Sequence, residues 1–357
     1  MATIVMWTCI AFLLYVHVGY PLVLWAWSAV AGRAVRKNSW EPTVSILIAA
    51  HNEHDTIERK ILNCLDLDYP LDKLQVVIAL DAPTDGTDLV AAAYESDNVH
   101  VVSVRKHLGK AGALNRAVAA SRGAVLLFSD ARQRLDRGAL RELVANLHDP
   151  EVGSVSGELV LLDDSGREAA DGMGLYWRYE KWLRAREARI HSMMGATGAI
   201  YAIRREYYKR MQPDTILDDV FVPMSIVLRG KRAVFEGAAR AFDRVSASPE
   251  VEYGRKVRTL MGNFQILARM PALMSPLHNP VWVQYMSHKA ARLMVPYAMA
   301  ALFVANLFVR DGIYLWLLAA QCAFYLLAGF GGVLSHRGAA AEVAAPVMAT
   351  ASIEGER

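Results

Sequence analysis

The 357-residue chain carries 39 Lys+Arg against 36 Asp+Glu, a net charge of +3, with 54% hydrophobic and 21% charged residues. Met1–Gly32, Leu293–Val309 and Gly312–Ser335 contain no charged residue, and the other 284 residues carry all 75 charges, about 26%, the ordinary density of soluble protein. This mixture excludes a disordered chain, a purely soluble enzyme and a polytopic bundle with short loops, and the near-neutral sum offers no basis for nucleic-acid binding.

Met1–Gly32 is too long for a signal-peptide core and has no basic residue before it. As helix it exceeds the roughly 20 apolar residues that cross a hydrocarbon core. From Thr43 the pattern becomes short apolar runs alternating with amphipathic stretches. Val44–Ala50, Gln75–Leu80, Val99–Val104 and Ala124–Phe128 are predicted strands, and Asp55–Leu65, Thr87–Tyr94, Ala111–Ser121 and Arg137–Leu147 predicted helices. The alternation implies an α/β fold, a doubly wound and mostly parallel sheet, in which ligands bind beyond the carboxyl ends of the strands. The residues there are His51, Asn52 and Glu53 after the first strand, Asp81 after the second, and Ser129-Asp130-Ala131-Arg132 after the fourth.

Asp81 and Asp130 thus end two very apolar runs on one edge. A carboxylate there can accept from ribose hydroxyls or base N–H groups, or hold a divalent cation on a diphosphate. The plain alternative, a turn or N-cap aspartate, suits Asp85 in the turn signal Asp85-Gly86. No dinucleotide fingerprint follows the first strand and no Walker spacing occurs anywhere. Gly109-Lys110-Ala111-Gly112 brings Lys110 and helix N–H groups towards an anion, or is simply a solvated lysine at a helix start.

Farther along, Ser154–Leu161 reads as a strand and Leu175–Ile190 as a helix whose dense Arg and Glu residues form a solvated face. Gly195-Ala196-Thr197-Gly198-Ala199 lets an acceptor approach the backbone closely at Gly198, or is a turn before the run Ile200–Ile203. In Asp218-Asp219 adjacent carboxylates repel, which raises one pKa and suits a general base. The alternative is an N-cap and its neighbour at a helix start. Val257, Leu260, Met261, Phe264, Leu267 and Ala268 recur at helical spacing behind Arg255, Lys256 and Arg258. A basic amphipathic helix of this kind lies at a membrane interface, with a core-packing helix as the alternative. Pro271, Pro276 and Pro280 then break the chain.

Two further spans, Leu293–Val309 and Gly312–Ser335, are expected next, the shorter Leu293–Val309 with a buried helix or half of a re-entrant pair as the alternative. Arg33, Arg36 and Lys37 follow the first span, Lys289 and Arg292 precede the second, and Arg337 follows the third. Cation excess marks the cytoplasmic side, so residues 33–292 and the C-terminus face the cytoplasm and the N-terminus lies outside. Cys9, Cys64 and Cys322 form no ligand spacing and no disulfide framework, in keeping with a reducing compartment. The expected organisation is a membrane helix over 1–32, a cytoplasmic domain over 40–245, interfacial helices over 246–292, two membrane helices over 293–335 and a flexible tail over 336–357.

This order of motifs resembles the membrane-bound family 2 glycosyltransferases, the group of cellulose, chitin, hyaluronan and poly-N-acetylglucosamine synthases and ceramide glucosyltransferases. The likeness covers roughly residues 40–270. Ser45–Glu53 looks like the family's strand and N-E turn, and Asp81 with Thr84-Asp85-Gly86-Thr87 like its D-x-S-x-D-G-T element. Gly109–Asn115 looks like G-K-x-x-A-L-N, Ser129–Arg132 holds the D-x-D position, Leu217–Asp219 the E-D position, and Arg255–Thr259 the [QR]-x-x-R-W position.

The resemblance implies an A-type glycosyltransferase fold and inverting transfer from a UDP-sugar to a polysaccharide or lipid-linked acceptor at the inner (plasma) membrane. By it, Asn52 and Glu53 are donor-binding, Asp81 binds the uracil end, and Lys110 contacts the nucleotide or its diphosphate. Asp130 lies at the ribose and diphosphate near a divalent cation, Mg or Mn. Asp219 is the general base, with Asp218 beside it where the family often has Glu. Arg255 and Arg258 neutralise the leaving diphosphate, and Gly198 and Thr259 lie on the acceptor side.

Two positions depart from the pattern. Arg132 replaces the second Asp of D-x-D, which puts the metal in question or supplies positive charge in its place. Thr259 replaces the Trp that forms an acceptor platform in processive synthases. That departure brings a glycolipid-forming, single-sugar enzyme close behind a polymerase. A synthase acting as a homo-oligomer or with a partner membrane subunit follows, and then a nucleotide-binding subunit without transfer.

Overall fold

The computed structural model describes residues 1–104, 106–163, 165–168, 173–244, 249–309 and 312–331. The expected tail over 336–357, the end of the third expected span and the Arg310-Asp311 connection lie outside these residues. The chain divides into two compact units, Pro21–Val245 with Met261–Lys289, and Met1–Tyr20 with Ser246–Leu260 and Ala290–Arg357.

The first unit holds an eight-stranded sheet: β1 (Val44–Ala50), β2 (Leu74–Asp81), β3 (Val99–Val104), β4 (Val125–Phe128), β5 (Arg134–Leu135), β6 (Val152–Leu162), β7 (Tyr201–Arg204) and β8 (Arg232–Arg244), in the order β3-β2-β1-β4-β7-β6-β8-β5. The β3-β2-β1-β4 half is parallel, as is β6 with β8, whereas β7 is antiparallel to both neighbours and β5 to β8. Central parallel strands are covered on both faces, which is why they read as unbroken apolar runs. Successive side chains alternate between the two cores. Ile46, Ile48, Val76, Ile78 and Leu127 meet Ile57 and Ile61 of the His54–Leu65 helix and Leu140 and Leu143 of the Ala139–Leu147 helix. Leu47, Val77, Ala79, Leu126 and Phe128 meet Ala113 and Leu114 of the Gly109–Ala120 helix and Phe221 and Met224 of the Asp218–Val227 helix.

The register fixes the functional edge. Ala50 pairs with Leu80, Asp81 with Val104, and Leu47 with Phe128, so β1, β2 and β4 all end on one side of the sheet. Three strands escape sequence reading, β5, β7 and β8, although the run Ile200–Ile203 marks the place of β7. β5 has two residues. β8 runs for thirteen residues, but Arg232, Glu236, Arg240, Asp243 and Arg244 interrupt its apolar pattern. A register shift between Ser156 and Glu158 kinks its pairing with β6.

Two expectations change here. The Met173–Ile190 helix is not simply a solvated charged face: Glu187 is fully buried, Glu180 nearly so, and Glu187 Oε1 lies 2.7 Å from His288 Nδ1. The stretch expected to be interfacial, 246–292, is divided between the units. Ile266, Met270, Leu273 and Val281 are buried in the second core of the sheet unit, so the core-packing alternative holds for the later part, while Met261 and Phe264 remain exposed.

Among the described residues three helices are long and apolar enough to cross a membrane: Ala2–Val30, Trp282–Leu307 and Ile313–Gly331. The first contains a π-helical turn at Tyr15–Gly19. The second starts eleven residues ahead of the charge-free segment. Lys289 and Arg292 hide its beginning from a charge-based reading, because the helix runs through them by way of the π-helical turn Tyr285–Ala290. Within the second unit Gln321 Nε2 donates to the Met299 carbonyl at 3.0 Å, joining the last two helices.

Candidate active site

The site is built on the edge where β1, β2 and β4 end. Beyond β1, Asn52 adopts the left-handed backbone conformation (φ 55°) that asparagine tolerates better than most residues. Its Oδ1 accepts from Thr84 N at 2.8 Å, tying the β1 turn to the β2 turn. Glu53 caps the His54–Leu65 helix, and its Oε2 accepts from Thr56 Oγ1 at 2.7 Å. Asn52 and Glu53 therefore brace the loops. Asp85 does the same, as its turn signal indicates. It accepts from Thr87 Oγ1 at 2.5 Å, Thr87 N at 3.0 Å and His54 N at 3.0 Å. These bonds, the Thr87 side chain foremost, pull its pKa down to about 2.

Asp81 closes β2 and is almost fully buried. Its Oδ1 accepts from Leu108 N at 2.6 Å and its Oδ2 lies 2.9 Å from His107 Nδ1. The His107 ring in turn sits 4.7 Å from that of His51. Asp81 thereby fixes the approach to the Gly109–Ala120 helix, where Gly109 needs a positive φ of 75°. This clamp places Lys110 in the first turn of that helix.

Lys110 is the meeting point of the cleft. Its Nζ lies 2.8 Å from Asp130 Oδ1 and 3.0 Å from Asp218 Oδ1. Burial pulls its pKa down, but the surrounding Asp130, Asp218 and Asp219 outweigh burial and raise it, so it stays an ammonium. Gly198 lies beside the same groups. A Cβ there would sit 3.3 Å from Lys110 Nζ and 3.6 Å from both Asp130 Oδ2 and Asp219 Oδ2. The glycine leaves that space open in front of two carboxylates and an ammonium.

The carboxylate pair opens the Asp218–Val227 helix. Asp218 is buried, and its Oδ2 accepts from the Tyr201 hydroxyl at 3.3 Å, with the Tyr201 ring stacked 4.6 Å from Phe128. Pro223, inside the helix, has no N–H to give to the carbonyl four residues earlier. That carbonyl belongs to Asp219, and it instead accepts from Ala196 N at 2.7 Å. The proline thus leaves Asp219 free to hold the Gly195–Ala199 stretch against the carboxylates. Burial first, and then the neighbouring Asp218, push the Asp219 pKa up to about 6 against the opposing pull of Lys110.

Two residues that sequence reasoning passed over hold the segment before the pair. Gln265 Oε1 accepts from Ile216 N at 2.9 Å and Gln265 Nε2 donates to Asp214 O at 2.9 Å. Arg269 donates to Thr215 Oγ1 at 3.0 Å and pairs with Asp214. Gly262 lets Leu217 approach; a Cβ there would lie 2.5 Å from Leu217 Cγ. The only sequence signal is that all three share one side of a helix, at spacings of three and four residues.

The structure thus brings Lys110, Asp130, Gly198, Asp218 and Asp219 together, with Asp81, Asn52 and Glu53 in the loops that frame them. Arg132 is exposed and turns to a separate basic cavity. Arg255, Arg258 and Thr259 lie on the first half of the Pro249–Arg269 helix, in the other unit; Arg258 and Thr259 are exposed. Among the described residues no three or more His, Cys, Asp or Glu side chains form a cluster able to hold a metal ion. The chemistry available is a carboxylate poised to take a proton, an ammonium for negative charge, and Asp130, whose Oδ2 faces the opening beside Gly198.

The sequence model of Glycosyl transferase family 2 matches residues 45–211. The chain is 26% identical over 236 residues to a poly-beta-1,6-N-acetyl-D-glucosamine synthase of Staphylococcus aureus (strain MSSA476), covering 63% of this chain and 56% of that protein. It is also 26% identical over 249 residues to a probable glycosyltransferase, YdaM, of Bacillus subtilis (strain 168), covering 66% and 59%. The matched part thus spans a little over half the length of these curated relatives. In fold, it superimposes with a TM-score of 0.70 and 23% identity on a mannosyltransferase of Pyrobaculum calidifontis solved with GDP-Man and Mn2+, over 90% of this chain and 92% of that one. Strand order and structural likeness agree on the A-type glycosyltransferase fold, and residues 45–211 within it match the family 2 glycosyltransferase model.

Proposed function

We propose that the protein is an inverting glycosyltransferase moving a hexosyl or N-acetylhexosaminyl group from a UDP-sugar to a polysaccharide or lipid-linked acceptor at the cytoplasmic face of the inner membrane. The observation that carries this reading is the position of Asp219. A carboxylate with a pKa raised to about 6 faces an opening kept clear by Gly198, opposite the Lys110 ammonium. Asp219 takes the proton of the acceptor hydroxyl, and that oxygen forms a bond to the anomeric carbon. The bond from that carbon to the diphosphate breaks on the opposite face, and its electron pair leaves with UDP.

Lys110 stabilises the charge gathering on the diphosphate. Asp81 frames the base end and Asp130 the ribose and diphosphate. One or two carboxylates with substrate phosphates suffice for Mg2+. Asp130 with the diphosphate would therefore hold such an ion, Mg2+ or Mn2+, which supplies further positive charge to the leaving group. The curated relative is by name a polymer synthase, which supports chain growth. Thr259, where processive synthases have an aromatic platform, supports a second reading, transfer of a single sugar to a lipid. A homo-oligomer or a partner membrane subunit fits either reading.

The test is a donor screen. The full chain in nanodiscs is incubated with UDP- and GDP-sugars and membrane lipid extract, nucleoside diphosphate release is followed, and products are weighed by mass spectrometry. Release of UDP from one UDP-sugar is expected, with a ladder for polymer synthesis or one added mass for glycolipid. Release from GDP-sugars alone, or from none, would overturn the proposal.

A further inference from the structure

The turn Ser129–Gln133 is held from both sides. Lys110 reaches Asp130 from the donor side. From the other side, Lys60 of the His54–Leu65 helix donates to Ser129 Oγ and to Gln133 O, both at 2.7 Å. Beneath that second side lies an open cavity of about 460 Å³ whose lining includes Arg59, Lys60, Arg132, Arg134 and Arg244. Among the described residues its one acidic lining residue is Asp243, whose two oxygens accept from Gln133 Nε2 and from Arg244 N rather than from a guanidinium. With Lys60 buried against the turn and Arg134 stacked on Phe242, the guanidinium groups of Arg59, Arg132 and Arg244 remain in the lining beside one carboxylate, in a space of the size that encloses small ligands. Like charges so gathered are unfavourable until an anion enters.

A second feature points the same way. Gln133 is 5% exposed and lines the cavity, and its Oε1 is a buried acceptor with no donor. An anion alone leaves that oxygen unsatisfied; a ligand that also carries a hydroxyl satisfies it. Guanidinium groups bind phosphate oxygens in pairs, which suits Arg132, Arg244 and the rest of the Arg59 fork, whose Nη2 donates to the Asp55 carbonyl at 3.0 Å. Arg134 is committed elsewhere, stacked 4.7 Å from the Phe242 ring centroid.

We infer that this cavity is a second ligand site, distinct from the donor cleft, for a phosphorylated polyol whose phosphate meets the arginines and whose hydroxyl donates to Gln133 Oε1. The phosphate ester is either a soluble molecule or a lipid headgroup. The inference does not depend on the transfer reading, because it is tested by binding.

The full chain in phosphatidylcholine nanodiscs is titrated calorimetrically with glucose 6-phosphate, with glucose and inorganic phosphate as partial probes. One site is expected, tighter for glucose 6-phosphate than for either part, unchanged by saturating UDP and by Asp81→Asn. Arg59→Glu with Arg244→Glu weakens it at least tenfold, and Arg59→Lys with Arg244→Lys retains it, which separates loss of the site from loss of the fold. In nanodiscs containing phosphatidylglycerol, loss of glucose 6-phosphate binding assigns the site to lipid phosphate, and undiminished binding assigns it to a soluble ester. No binding in phosphatidylcholine nanodiscs, displacement by UDP, or indifference to the charge reversal would overturn the inference. Failure of UDP itself to bind would count against the proposed donor and leave this result readable.

Discussion

Lys110 Nζ stands within 3.0 Å of carboxylate oxygens from Asp130 and Asp218, two residues far apart in the chain. Its charge answers theirs in the resting site and, in the proposed transfer, that of the donor diphosphate. Lys110→Met is expected to lower kcat by about 10²–10³-fold, the usual cost of losing one transition-state charge partner, measured by UDP release at saturating donor. The pH profile follows from Asp219. A base must be deprotonated to act, and its carboxyl is raised to about 6. Activity therefore rises with pH up to about 6 and levels off above it, falling about tenfold per unit below. Lys110 opposes that rise, so the Lys110→Met variant moves the acid limb upward. A profile flat between pH 5 and 7 would contradict this assignment. At this scale the sequence was informative about identity and poor about pairing. Asp219 and Lys110 could be singled out from Asp218-Asp219 and Gly109-Lys110, but their meeting depends on contacts between distant elements. Arg132 could be singled out as a departure, yet its turn away from the cleft depends on the cavity behind it.

At the level of elements, the carboxylate pair is positioned by what holds the chain just before it. Gln265 and Arg269 bind Asp214, Thr215 and Ile216 from one face of a helix. Gln265→Ala with Arg269→Ala is expected to lower kcat by about 10–100-fold, the effect of a small misplacement of a reacting group, with the donor KM little changed. Equal losses in kcat and donor affinity would point to general unfolding instead. Gly157 shows how the sheet depends on a close approach. A Cβ there would lie 2.3 Å from the Ala239 carbonyl oxygen. Gly157→Ala should cost about 1–3 kcal/mol, typical of overpacking, seen as a lower unfolding midpoint. The parallel half of the sheet was legible because each of its buried strands is an unbroken apolar run. β8 was not, since its charges are satisfied by partners remote in sequence; Arg232, for one, donates to the carbonyls of Ala188 and His191.

Across the whole molecule, charge-free composition located three helices able to cross a membrane. It placed the start of the second too late, because Lys289 and Arg292 lie within that helix. With residues 33–292 on the cytoplasmic side, a cysteine at exposed position Ser96, in a Cys9→Ser, Cys322→Ser background, reacts with an impermeant maleimide only after right-side-out vesicles are permeabilised. Labelling of intact vesicles would reverse the proposed orientation.

The central claim is that Asp219 is the base of a sugar transfer, and its most direct measurement compares wild type with Asp219→Asn in nanodiscs, following UDP release and UDP affinity together. The account predicts UDP affinity within about threefold of wild type and turnover lower by about 10²–10⁴-fold, the range for loss of a general base. Equal UDP release from the two proteins would contradict it.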